Sequence, residues 1–187
     1  MNAFAVFIVA AVVLVFAIIG IYNSLVGKKN QMLNIEAGVD AQLKRRYDLL
    51  PNLVAAAKEY LSHERGLLEA ITELRSSAQN ARTSEEKFNL NNQLSQLLNG
   101  LKVTIENYPD LKANQNILHI QSTLSEIEEQ ISAARRAYNS SVEVYNNAIE
   151  MFPSNLIANS FGFKKAAFFD IPDDQSAAPD IGKMFKS

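Results

Sequence analysis

A chain of 187 residues with no cysteine, no tryptophan, seven glycines and five prolines fits one domain, is poor in turn residues, and excludes disulfides, thiolate nucleophiles and thiolate metal sites. A formal net charge of −2 at pH 7 speaks against a dedicated nucleic-acid binder, which would be basic. The charge is unevenly placed: none on residues 1–22, five cations against Glu36 and Asp40 over residues 28–46, and four aspartates against Lys183 and Lys186 in the last 18 residues.

Ala3 to Tyr22 is a run of 20 residues holding only apolar side chains, glycine and one terminal tyrosine. At helical rise it spans ~30 Å, the thickness of a bilayer core. Ala3, Phe4, Val6, Phe7, Ile8, Val12, Leu14, Phe16, Ile19 and Tyr22 are therefore expected within a membrane, with residues 1–24 as the anchor. A cleaved secretory signal is the competing reading, but no Lys or Arg precedes the run, it is too long for a signal core, and no Ala-x-Ala site follows. Lys28 and Lys29 follow the span and no basic side chain precedes it, so the positive-inside rule puts the N-terminus outside and the remaining chain in the cytoplasm.

Leu25, Met32, Ile35, Val39, Leu43 and Leu50 then recur at spacings of three, four or seven, the stripe of an amphipathic helix that continues from the span. Within Gln42–Val54, Pro51 is expected to break this helix and start the next. Lys44, Arg45 and Arg46 would meet the C-terminal carbonyls of the first helix, and Asp48 the free amides of the second. The second helix is expected over Pro51–Arg82. Thr83 and Glu86 match a capping box and start a third, whose stripe is Leu90, Leu94, Leu97, Leu98, Leu101 and Ile105 and which ends at the turn Asn107–Asp110. A fourth, of some 36 residues, carries Ile117, Ile120, Leu124, Ile127, Ile131, Ala134, Tyr138, Val142, Tyr145, Ile149 and Phe152 until Pro153. The fold class is thus all-α: an N-terminal transmembrane helix followed by an antiparallel, long-helix, up-down four-helix bundle or coiled coil over residues 25–154.

Parity has a consequence. With four alternating helices, the segment 155–171 returns to the bilayer. Its Phe161, Phe163, Phe168 and Phe169, with Lys164 and Lys165, are candidate membrane or partner contacts; plugging the end of the bundle is the alternative. Residues 172–187 read as a flexible acidic tail.

Chemistry is harder to find. His63-Glu64 is not a zinc-protease helix, because Leu67 stands where the second histidine would be, and neither His63 nor His119 has a glutamate three residues before it. Glu126, Glu128 and Glu129 read as a solvated face. Tyr138-Asn139 and Tyr145-Asn146, seven residues apart, read as tyrosines packing between helices with their hydroxyls at the rim, or as a partner-binding ridge. The uncharged face Asn89, Asn91, Asn92, Gln93, Gln96 and Asn99 hints at self-association. No catalytic residues, metal ligands or cofactor are expected.

Several motifs, in one order, resemble the LemA family: Tyr22-Asn23, Lys29-Asn30, Gln42–Arg46 with Asp48–Val54, His63-Glu64, Tyr108–Asn114, Arg136 with Tyr138-Asn139, Tyr145-Asn146, Phe152-Pro153 and Gly162-Phe163. The resemblance covers nearly the whole chain; the aromatic that relatives commonly carry around Ile35–Asp40 is absent here. It implies a bacterial membrane protein with an N-terminal anchor and a helical bundle, in a family without an agreed biochemical activity, some of whose members are associated with envelope-stress metalloproteases or magnetosome membranes. The expected role is a noncatalytic, single-pass scaffold of the bacterial inner membrane that binds lipid through its N-terminal helix and forms a homo-oligomer. The alternative is an adaptor of a membrane-protein partner such as a metalloprotease.

Overall fold

A computed structural model of the chain describes residues 3–61 and 63–169. All regular structure among these residues is helical: α1 (Ala3–Lys58), α2 (Arg65–Asn80), α3 (Ser84–Glu106), α4 (Pro109–Lys112), α5 (Gln115–Glu150) and α6 (Ser154–Ser160). The chain divides into two compact units, residues up to 46 with 123–168, and residues 47–122 with those from 169 onward. The expected acidic tail 172–187 lies outside the described residues, as do residues 170 and 171 of the preceding segment.

The first unit is an antiparallel pair made by most of α1 and most of α5. Arg45 donates to Gln130 (2.8 Å), Arg46 pairs with Glu128, and Tyr138 feels the charges of Glu36 and Asp40. Each step forward in α1 is matched by a step back in α5. Burial follows the same geometry: Leu25, Met32, Val39 and Arg46 on α1 recur every seven residues, and Ile131, Tyr138 and Tyr145 do so on α5, with Val142 and Ile149 between or beyond them.

The second unit encloses a rounder core. The end of α1 supplies Leu50, Leu53 and Ala57, α2 Leu68, Ile71 and Ala78, α3 Phe88, Leu94, Leu101 and Ile105, α4 Leu111, and the start of α5 Ile117. The caps are local and specific. Thr83 Oγ1 accepts from the Glu86 amide (3.2 Å) and so caps α3, while the Glu86 carboxylate reaches back to accept from the amide of Arg82, one residue before the cap (3.0 Å), a variant of the expected capping box. Asn114 Oδ1 accepts from the amides of Asn116 and Ile117 and so starts α5; the segment Tyr108–Asn114 is thereby one helical turn plus the cap of the next helix.

The expected corner at Pro51 is not a corner. α1 passes through Pro51 and ends at Lys58, so Lys44, Arg45, Arg46 and Asp48 lie inside a helix rather than at the ends of two. A proline in a helix interior costs about 3 kcal/mol or more, partly because the carbonyl four residues earlier loses its amide donor. Here that carbonyl belongs to Tyr47, and Arg75 Nε on α2 donates to it at 2.7 Å. A hydrogen bond from a charged donor contributes roughly 1.5–3 kcal/mol, enough to offset much of the loss. The helix expected over Pro51–Arg82 is consequently two elements, the end of α1 and the shorter α2.

Candidate membrane-proximal site

The apolar start of α1 is the one helix among the described residues long and apolar enough to cross a membrane, and its most apolar window is 0% buried against the protein. A helix of a soluble core would be covered by its neighbours; Phe4, Phe7 and Phe16 instead stand free. The expected spanning residues Ala3, Phe4, Val6, Phe7, Ile8, Val12, Leu14, Phe16 and Ile19 are all exposed. Tyr22 is different. Half-buried, it meets the Phe161 ring at 4.8 Å between centroids and the Phe163 ring edge-on at 5.9 Å. The residues after Pro153 thus come back to the end of the apolar run, as helix parity requires.

Beyond α6 the chain reverses at Gly162, whose φ of 71° is the left-handed conformation that glycine adopts without strain. It then runs extended along α5 as a strap. Three side chains, two of them consecutive and the third two turns away, hold its backbone: Tyr145 donates its hydroxyl to the Lys164 carbonyl (2.8 Å), Asn146 both donates to the Ala166 carbonyl (3.0 Å) and accepts from the Ala166 amide (2.9 Å), and Tyr138 donates to the Ala167 carbonyl (3.0 Å). Asn146 therefore satisfies both backbone groups of one residue, much as a neighbouring strand would. The paired Tyr-Asn motif is partly explained by these contacts: the two tyrosines are buried between helix and strap, and their hydroxyls end on backbone rather than at a solvated rim.

Burial acts on these groups. It pushes the Tyr138 phenol up to about 12, reinforced by the negative charges of Glu36 and Asp40, and it raises Tyr145 as well. Arg135 is lowered, first by burial and then by the like charge of Arg136.

The tail residues separate into distinct roles. Phe161 and Phe168 are exposed, Phe163 is half-buried, and Lys29 stands 5.9 Å over the Phe163 ring. Lys164 is exposed and Lys165 pairs with Glu150. Phe169 corrects the expectation of a membrane contact: it is fully buried and stacks on Phe88 at 4.0 Å and 5° within the second unit, so it is a core residue there. Phe88 was absent from the expected stripe of α3, which Leu90 was to begin. Of the uncharged face on α3, Asn91 is likewise buried and only its neighbours remain for a surface. Phe152, expected on the apolar stripe of the fourth helix, lies beyond the end of α5 and is exposed, and sequence reasoning missed Met151 and Leu156, exposed around the same turn into α6; the charge-free stretch Met151–Phe163 was the signal that marks them.

Elsewhere, Arg46 is 3% exposed and pairs with Glu128, which stays half-exposed on the solvated face expected of Glu126, Glu128 and Glu129. A groove of about 630 Å³ in the second unit lies between the end of α1 and α2, lined by Val54, Lys58, Leu61, Arg65 and Glu69 among others. His63 lies exposed in the turn before α2, and among the described residues no three of His, Asp or Glu converge.

The profile of the LemA family matches residues 36–182. The chain is also similar to Protein LemA of Metamycoplasma hominis, at 26% identity over 179 residues that cover 95% of this chain and 82% of that protein.

Proposed function

Given that this chain belongs to the LemA family, we propose that it is a noncatalytic, membrane-anchored helical scaffold, which self-associates or organises partners at the bacterial inner membrane. The observation that carries this reading is the bare apolar segment 3–22 continuing without a break into the helix that builds the first unit. A span rigidly continued into a folded pair of helices holds that pair at the bilayer. The side chains with chemical potential, Tyr138, Tyr145, Asn146 and Arg46, are engaged in holding backbone and pairing helices, which supports a structural role. The orientation proposed is N-terminus outside and the helical region cytoplasmic, from Lys28 and Lys29 on the inner flank.

Two measurements test it. Full-length protein released in mild detergent should sediment as an oligomer of defined size, and a monomer would refute self-association. Protease added to intact spheroplasts should leave the helical region whole; rapid cleavage there would reverse the orientation.

A further inference from the structure

Four large apolar side chains crowd one short stretch of the first unit and face away from the protein: Met151 (64% exposed), Phe152 (80%), Leu156 (57%) and Phe161 (59%). No charged residue occurs from Met151 to Phe163, and Lys164-Lys165 follow directly. We propose that the turn Met151–Phe161, with α6, is a second membrane contact: a wedge that enters the headgroup layer and upper acyl chains of the leaflet in which Tyr22 ends the span. This rests on residues 3–22 crossing the bilayer.

Continuity identifies the occupant. Phe161 lies on Tyr22, so the exposed patch is joined to the last residue of the apolar segment. The antiparallel register set by Arg46 with Glu128 and Arg45 with Gln130, carried along the pair, brings Met151 and Phe152 level with Tyr22. Cations rim this level: Lys28 and Lys29 one to two turns beyond Tyr22, Lys29 over the Phe163 ring, and Lys164 and Lys165 after it. Apolar and aromatic groups bordered by lysines match the layering of a bilayer interface with anionic headgroups.

The turn also meets much of its own hydrogen-bonding demand. Its hydroxyls donate to the turn's own backbone, Ser154 Oγ to the Met151 carbonyl and Ser160 Oγ to the Leu156 carbonyl, both 2.8 Å. Its amides are met within the turn: Asn155 N–H donates to Met151 (2.8 Å), Phe161 N–H to Ile157 (3.0 Å) and Phe163 N–H to Ala158 (2.9 Å). Backbone bonded in this way costs less to bring toward lipid; Asn155 Oδ1 on the same turn is buried without a hydrogen-bond partner in the protein.

Because the chain has no tryptophan, one introduced tryptophan reports on one place. Full-length F152W and L156W, in nanodiscs of phosphatidylglycerol and phosphatidylcholine, should emit to the blue of V103W, an exposed site on the second unit. They should lose most of that emission when the lipids are brominated near the headgroup. F7W serves as the control for the span and should be quenched by bromine placed part-way down the acyl chains, because Phe7 lies four residues, ~6 Å, inside the apolar run. Emission and quenching at F152W and L156W equal to those at V103W, with F7W quenched, would overturn the wedge and leave the span standing. A blue shift indifferent to bromine would overturn it too, assigning the patch to protein–protein contact. Failure of F7W to be quenched would remove the span and the wedge together.

Discussion

The two units solve the same problem of burying amphipathic helices with different means. The second unit brings helical segments from α1 to α5 around an apolar centre, so Leu111, Ile117, Ile71 and Leu94 are covered on all sides at 0% exposure. The first unit has two long helices, and two helices in contact leave part of each apolar seam open. Its third layer is the strap 163–168, which brings little apolar bulk and is held instead by Tyr138, Tyr145 and Asn146. Both units rest on buried apolar side chains, Val39 and Val142 at 0% exposure in the first; the first differs in adding a strap fixed by side-chain hydrogen bonds. Substitutions should separate the two by the size and reach of their effects.

The largest effect is expected from F169A, which opens a cavity beside Phe88 and should cost roughly 3–5 kcal/mol, unfolding the second unit at lower denaturant. Chemical denaturation followed by far-UV circular dichroism checks this; a loss below about 1 kcal/mol would mean that the stack is peripheral. Next is E128A. Removing one partner of a buried pair costs about 3–5 kcal/mol, and because Glu128 is itself half-exposed the lower end is expected. R46M should cost less than E128A, since it places an apolar side chain in the apolar row Leu25–Met32–Val39, while the glutamate it abandons reaches water. The reverse order would show that Arg46 acts mainly through partners other than Glu128.

R75A is expected to cost about 1–3 kcal/mol by stranding the Tyr47 carbonyl. The informative step is the double variant. P51A restores the amide that this carbonyl lacks, so it should recover most of the loss in the R75A background and less than that in the parent. Additive effects would dissociate Arg75 from the proline.

How much of this was legible beforehand depended on whether the determinant was local. The apolar run, the Thr83–Glu86 box and the 36-residue α5 were readable because spacing and capping act within a few residues. Pro51 misled for the complementary reason: the group that lets the helix pass through it, Arg75, lies 28 residues from Tyr47. Phe169 was left between a membrane or partner contact and a plug of the bundle because its partner Phe88 is far along the chain and nothing in the local sequence points to it. Several motifs behind the family resemblance turn out to be such long-range fittings: Arg46 in Gln42–Val54, Asn114 after Tyr108, and the two Tyr-Asn pairs. The same holds at the membrane end, where Phe161 finds Tyr22 only once α5 has returned.

The smallest effect sharpens the contrast most directly. Y138F removes one hydroxyl from the strap and should cost about 1 kcal/mol near neutral pH, with faster amide exchange at Ala167 and its neighbours and little change in the second unit. Its pH dependence has a definite sign. The folded phenol sits near 12 because burial, and then Glu36 and Asp40, oppose the phenolate, whereas an unfolded tyrosine ionises near 10. The native state therefore holds this proton more tightly. The resulting stabilisation is fully present below about pH 10 and is lost as pH rises through about 12, when the unfolded chain has already released its proton. Alkaline unfolding of the parent protein should steepen across that window, and Y138F should flatten it there while leaving the neutral and acid limbs unchanged in shape. Identical alkaline limbs would mean that the phenol is hydrated and that the strap is held by Asn146 and Tyr145 without it.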